Sequence, residues 1–191
     1  GDETTLEVTN LSVDPAGAPS SVIQAGNVSH APFFVEDAEG ALYVAAAFEG
    51  SHTVFGQTLT STGEDDMYLA KLNAEGDLMW LIQGLADRDV NVGDLALMPD
   101  GGVTVVGTHL AAASWFGENG TNYSAGFTSS YNSGHRDGYS IRVNGEGEIV
   151  WGLTLTGGSN EGLNGVVSDS EGNAIITGDS MAAVQAISLR I

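Results

Sequence analysis

The sequence predicts an all-β fold, a β-propeller-like repeat of four-stranded blades, about three in number with incomplete terminal units. Two observations carry that expectation. A fifteen-residue block recurs at constant spacing, and short alternating apolar runs are separated by acidic-glycine turns, with no convincing helical period anywhere.

The block Asp66-Met-Tyr-Leu-Ala-Lys-Leu-Asn-Ala-Glu-Gly-Asp-Leu-Met-Trp80 returns as Asp137-Gly-Tyr-Ser-Ile-Arg-Val-Asn-Gly-Glu-Gly-Glu-Ile-Val-Trp151, shifted by 71 residues without a gap. A second block follows each copy: Leu95 to Gly107 turns at Asp100-Gly101, and Val166 to Gly178 turns at Glu171-Gly172. An earlier copy runs from Phe34 through Glu39-Gly40 into Leu42-Tyr43-Val44. Phe55-Gly56 recurs as Phe116-Gly117 at a shift of 61, so the missing ten residues place an insertion rich in Gly, Ser, Asn and Tyr at 117–137.

Each unit reads as four strands. One carries the tyrosine and a basic residue, the next the tryptophan, a third precedes an acidic-glycine turn and a fourth follows it. Tyr68, Ala70 and Leu72 alternate with Met67, Leu69 and Lys71, the pattern of a strand with one buried face. The turns Asp37 to Gly40, Asn73 to Gly76, Asn144 to Gly147 and Asp169 to Gly172 end on glycine, where the chain needs a positive φ.

Such units are the blade pattern of a propeller. The run from Phe55-Gly56 through Gly63 and Asp65-Asp66 to Trp80, together with Asp169 to Gly178, resembles the bacterial SBBP-type β-propeller repeat over most of residues 31–191. The resemblance implies an exported or surface module that is usually non-catalytic, and it supplies no catalytic residues. Residues 31–191 are read as the repeat blades and 1–30 as an N-terminal partial blade, whose segments 4–12 and 18–26 would be donor or closing strands. The last unit halts at Leu189-Arg190-Ile191, short of a tryptophan strand.

Twenty-five acids against five bases give a formal charge of −20, which opposes binding to nucleic acid or anionic lipid. It also opposes packing of like copies unless salt or calcium screens the charge. Cysteine is absent, so disulfides and thiolate metal sites are excluded, and no apolar run reaches membrane-spanning length. The polar start, Gly1-Asp2-Glu3, is expected to be a mature or trimmed N-terminus of an extracellular or cell-surface protein.

Candidate site residues are few. Lys71, Arg142 and Arg190 share one slot of successive units, and each is expected beside a carboxylate or carbonyl cluster. Trp80 and Trp151 share another slot and are expected in matching buried settings. Asp87, Asp89 and Asn91 offer oxygens at alternate positions, as a calcium loop begins, although Val92 and Met98 stand where such a loop has glycine and glutamate. No other cofactor is expected. The repetition of Asp66 as Asp137 points to turn capping. Trp115, Tyr123, Phe127 and Tyr131, in or beside the polar insertion, suggest a sugar-stacking or subunit-contact surface, against the alternative that aromatics there anchor the loop. His30, His52, His109 and His135 lack metal spacing, and neither a nucleophile elbow nor a phosphate-cradling glycine motif is present.

These features predict a non-enzymatic structural or interaction protein. Its copies would assemble into a filament or ring by β-strand complementation, with the 1–26 segment and Ala183 to Ile191 as the pairing ends. The alternative is a surface adhesion module that binds glycans or proteins.

Overall fold

The computed structural model describes residues 25–26, 28–125 and 134–180. Among these, the fold is all β, with a single 3-10 turn at Glu118–Gly120 and no α-helix. The strands are β1 (Phe33–Glu36), β2 (Leu42–Val54), β3 (Gln57–Leu72), β4 (Leu78–Ala86), β5 (Asp89–Leu97), β6 (Val103–Leu110), β7 (Ala113–Phe116), β8 (Asn122–Ala125), β9 (Asp137–Val143), β10 (Ile149–Leu155), β11 (Glu161–Ser168) and β12 (Ala174–Ser180).

They form three sheets: a curled six-stranded sheet β1-β2-β3-β4-β7-β8, a four-stranded sheet β5-β6-β9-β10 and the hairpin β11-β12. The first four strands of the six-stranded sheet are an antiparallel meander, and the second sheet repeats it. Register repeats as well. Leu42 faces Leu72 and Phe48 faces Asp66 in the first unit; Val103 faces Val143 and His109 faces Asp137 in the second. Those pairs are displaced by 61 residues on one strand and 71 on the other, as the recurring blocks require. A β-bulge between Val92 and Asp94 recurs between Leu163 and Gly165, again at a shift of 71. The hairpin β11-β12 is therefore the first half of a third unit.

The turns explain the constancy. Asp37, Asn73, Asn144 and Asp169 each use Oδ1 to accept the N–H groups two and four residues onward. Each such turn closes on a glycine with φ between +85° and +89°. An Asx oxygen and a left-handed glycine together fix the turn and hence the register of the strands it joins.

The sheets stack. One apolar cluster joins the first two sheets through Tyr43, Met67, Leu69 and Ile82 on one side and Val103, Val105, Tyr139 and Ile141 on the other. Another joins the second sheet to the hairpin through Ala96, Met98 and Val106 with Leu163, Val166 and Ile176. This corrects the one-sided reading of β3. Tyr68, Ala70 and Leu72 are buried, but so are Met67 and Leu69, because apolar groups pack against both faces of the first sheet.

Candidate functional site

Because each strand sends alternate side chains to opposite faces, the repeat assigns every slot to either the preceding or the following sheet. Phe34, Leu95 and Val166 share one slot by register. Leu95 packs toward the first sheet and Val166 toward the second, and both are buried, at 5% and 4% exposure. Phe34 is 68% exposed. The neighbouring slot holds Val35, Ala96 and Val167, which point the other way. Val35 packs into the first interlayer cluster and Ala96 into the second, whereas Val167 is 58% exposed. The two ends of the described stack thus present, in Phe34 and Val167, apolar groups that the interior of the stack buries.

The stacking contact itself is specific. Trp80 packs between the first two sheets and donates its indole N–H to the Gly145 carbonyl, in the β9–β10 turn. The ring lies over Gly147, where a Cβ would come within 3.0 Å of it. Trp151 occupies the same slot one layer on and packs, partly buried, against the cluster shared with the hairpin.

The shared basic slot behaves differently in its two described members. Arg142 is buried and pairs with Asp100, while its guanidinium also donates to the carbonyls of Val103 and Val143. Burial pulls its pKa below the usual guanidinium range, and Asp100 opposes that shift. Lys71 makes no ion pair among the described residues. Its ammonium sits 4.9 Å from the centroid of its cross-strand neighbour Tyr43, a cation–π contact. Arg190 lies outside the described residues.

Asp66 fulfils the capping role. One carboxylate oxygen accepts the Ala86 N–H and the other the Thr62 N–H. Burial raises its pKa, and those backbone donors hold the rise back.

The oxygens at 87, 89 and 91 have different surroundings. Asp87 is exposed, the buried Asp89 is engaged by Arg136 at 2.5 Å, and Asn91 lies further along β5. Among the described residues no three His, Asp or Glu side chains are grouped so as to hold a metal ion.

The aromatic group is corrected in part. Trp115 is fully buried, stacked on Tyr123 and packed against Tyr139, and its indole N–H points to the Met67 sulfur. It therefore offers no stacking surface. Tyr123 is half-buried and shares a hydrogen bond of 2.7 Å with Thr154. Phe127 and Tyr131 lie outside the described residues. A signal for this burial exists in the sequence: Gly84, a glycine inside a strand, where a Cβ would sit 2.5 Å from the Trp115 ring.

No protein-family model matches the chain, and no curated protein matches its sequence. Among the described residues no helix is long and apolar enough to cross a membrane.

Proposed function

We propose that this chain is a non-enzymatic, extracellular structural or interaction protein whose units are propeller-type blades of the kind the SBBP-like repeat suggests. Copies associate into a filament or ring by adding strands to open edges and by packing on the exposed Phe34 and Val167 of the two end layers. The observation that carries this reading is the slot series: Phe34 and Val167 are exposed where Leu95, Val166 and Ala96 are buried. Burying a large apolar side chain contributes roughly 1.5–3 kcal/mol, so a sheet stacked on either face gains what the interior layers already have.

Strand edges support it too. β2 and β6 each pair on both sides, whereas among the described residues β12 pairs only with β11. An open edge is a template for another strand. Both segments assigned above as pairing ends lie outside the described residues, apart from Ala25 and Gly26. A front face that docks on a back face is a head-to-tail contact, which gives a filament or, if the rotation closes, a ring.

Sedimentation velocity on the full chain, with sodium chloride and calcium raised to screen the −20 charge, tests the reading. It expects species heavier than the 19.6 kDa single copy, growing with concentration, and their loss in Val167→Asp. A strictly single-copy protein under all those conditions would overturn it.

A second reading, a carbohydrate- or protein-binding adhesion module, draws support from an open cavity between the first two sheets, lined by His30, Phe33, Asp65, Asn91, Thr108 and Arg136 among others.

A further inference from the structure

Three of the eleven asparagines stand directly before a glycine: Asn119-Gly120, Asn144-Gly145 and Asn164-Gly165. In such a pair no side chain screens the glycine nitrogen from the asparagine Cγ. The dipeptide is therefore chemically labile wherever the fold lets those two atoms meet. The fold treats the three copies differently.

Asn144 heads an Asx turn. Its Oδ1 accepts the N–H groups of Glu146 at 3.1 Å and Glu148 at 2.8 Å, and its Nδ2 donates to Glu148 Oε2 at 2.9 Å. The Gly145 carbonyl is held by the Trp80 indole N–H. Asn164 is the bulged residue of β11, fixed between the pairs Leu163↔Gly178 and Gly165↔Thr177, and its Nδ2 donates to Asp179. Neither amide can swing toward the next nitrogen without breaking a turn or a strand pairing. Asn119 is held far less. It is exposed, in the 3-10 turn between β7 and β8, with a left-handed φ of +56°. Among the described residues its side chain makes one hydrogen bond, from Nδ2 to Glu148 Oε1 at 3.2 Å. Gly120 is exposed as well, at φ +81°, and no atom lies within 4 Å of where its Cβ would be.

We infer that Asn119 is a site of spontaneous deamidation, and that its conversion loosens the β7-β8 turn from the β9-β10 turn. The Gly120 nitrogen attacks Asn119 Cγ; the new C–N bond forms as the Cγ–Nδ2 bond breaks. The proton lost by the Gly120 nitrogen passes through water to Nδ2, which leaves as ammonia. Water then opens the five-membered succinimide at either carbonyl, giving aspartate or isoaspartate. One water enters, one ammonia leaves, and no oxidant or enzyme is needed. The product replaces an N–H donor facing Glu148 with a carboxylate, so an attraction becomes a repulsion. The same two turns are also joined by the Glu118 N–H to the Gly147 carbonyl at 2.8 Å and the Ile149 N–H to Thr121 Oγ1 at 2.9 Å. Those bonds are the ones a new charge at 119 strains. The inference is independent of self-assembly.

Ageing of the full chain in mildly alkaline buffer, followed by peptide mapping with mass spectrometry and enzymatic methylation of isoaspartate, tests the site. Asn119 should convert at least about tenfold faster than Asn144 or Asn164, since one hydrogen bond that must first open is worth that much. Asn119→Gln, which would have to close a six-membered ring, should lose the fast conversion. Equal or faster conversion at Asn144 or Asn164, or a parent chain that lasts as long as Asn119→Gln, overturns the site. Hydrogen exchange tests the loosening. The Glu118 and Ile149 amides should exchange severalfold faster in Asn119→Asp than in the parent, and faster than in Asn119→Ala, which loses the bond without gaining a charge. Exchange in Asn119→Asp no faster than in Asn119→Ala overturns that part.

Discussion

The hairpin between the second and third strands of a unit takes two different paths in the two complete units. In the first, β2 and β3 run on past a bulge at Glu49/Ser51 and stay paired to the turn at Phe55-Gly56. In the second, β6 ends at Leu110, Ala111 adopts φ +71°, and the chain leaves its own sheet. The resulting hairpin β7-β8 pairs instead with β4 of the first unit, from Gln83↔Phe116 to Ala86↔Ala113. Its Tyr123 reaches back to Thr154 on β10. The same topological element thus stays paired within its own sheet in one unit and clamps across two in the other. An insertion within a repeat can change which layer it serves without altering the register of the strands around it.

The comparison breaks most sharply at Trp115, which stands in the slot that Val54 fills in the first unit. Trp115→Ala should destabilise the protein by roughly 3–5 kcal/mol, the usual cost of emptying a large aromatic site. Val54→Ala, which empties a smaller buried site in a hairpin that stays in its own sheet, should cost clearly less. Urea unfolding of the two variants decides it, and equal losses would mean that β7-β8 is no clamp.

A smaller effect separates the two basic residues. Arg142→Met removes donors from two backbone carbonyls and from Asp100, and should cost about 1–3 kcal/mol. Lys71→Met loses only a contact over a ring and should cost under about 1 kcal/mol. An unchanged melting temperature for Arg142→Met would contradict the structural role given to it.

The smallest effect concerns pH. Phe48 and His109 share a slot. Burial pushes the His109 pKa below the ordinary 6.5, opposed by the Ala111 carbonyl and by Asp137. A lowered folded-state pKa means the unfolded chain binds the proton first. Stability from this group is therefore full above about pH 6.5 and declines as the pH falls toward the depressed value. His109→Phe, which copies the first unit, should flatten the stability profile between about pH 7 and 5. A profile as steep as the parent's would show that His109 is not its source.

Much of this architecture is legible in the sequence, and particular residues show why. The Asx-to-glycine turns and the tryptophan slot specify local geometry by short-range chemistry, so a shift of 71 residues in sequence became the same shift in strand register and in the β-bulge. The double-sided burial of β3 was not legible, since Lys71 gives that face a charged member and only stacking on a second sheet hides the others. The path of β7-β8 was not legible either. It depends on Ala111 accepting a positive φ and on Gly84 leaving room for Trp115, and a polar insertion next to aromatics reads equally as a surface. The cavity draws its lining from segments far apart in sequence, and no local pattern joins Asp65, Asn91 and Arg136.

The central claim is that the exposed Phe34 and Val167 mark faces on which further units stack, front to back. The chain has no cysteine, so Phe34→Cys and Val167→Cys can be introduced together and oxidised at high salt. Front-to-back stacking brings these two slots into one apolar cluster, as Val166 and Ala96 are in the interior. The double variant should therefore give a ladder of cross-linked multiples on a non-reducing gel, while each single variant gives no ladder. A double variant that stays at the mass of one copy, whether unlinked or linked within a single chain, would contradict the account.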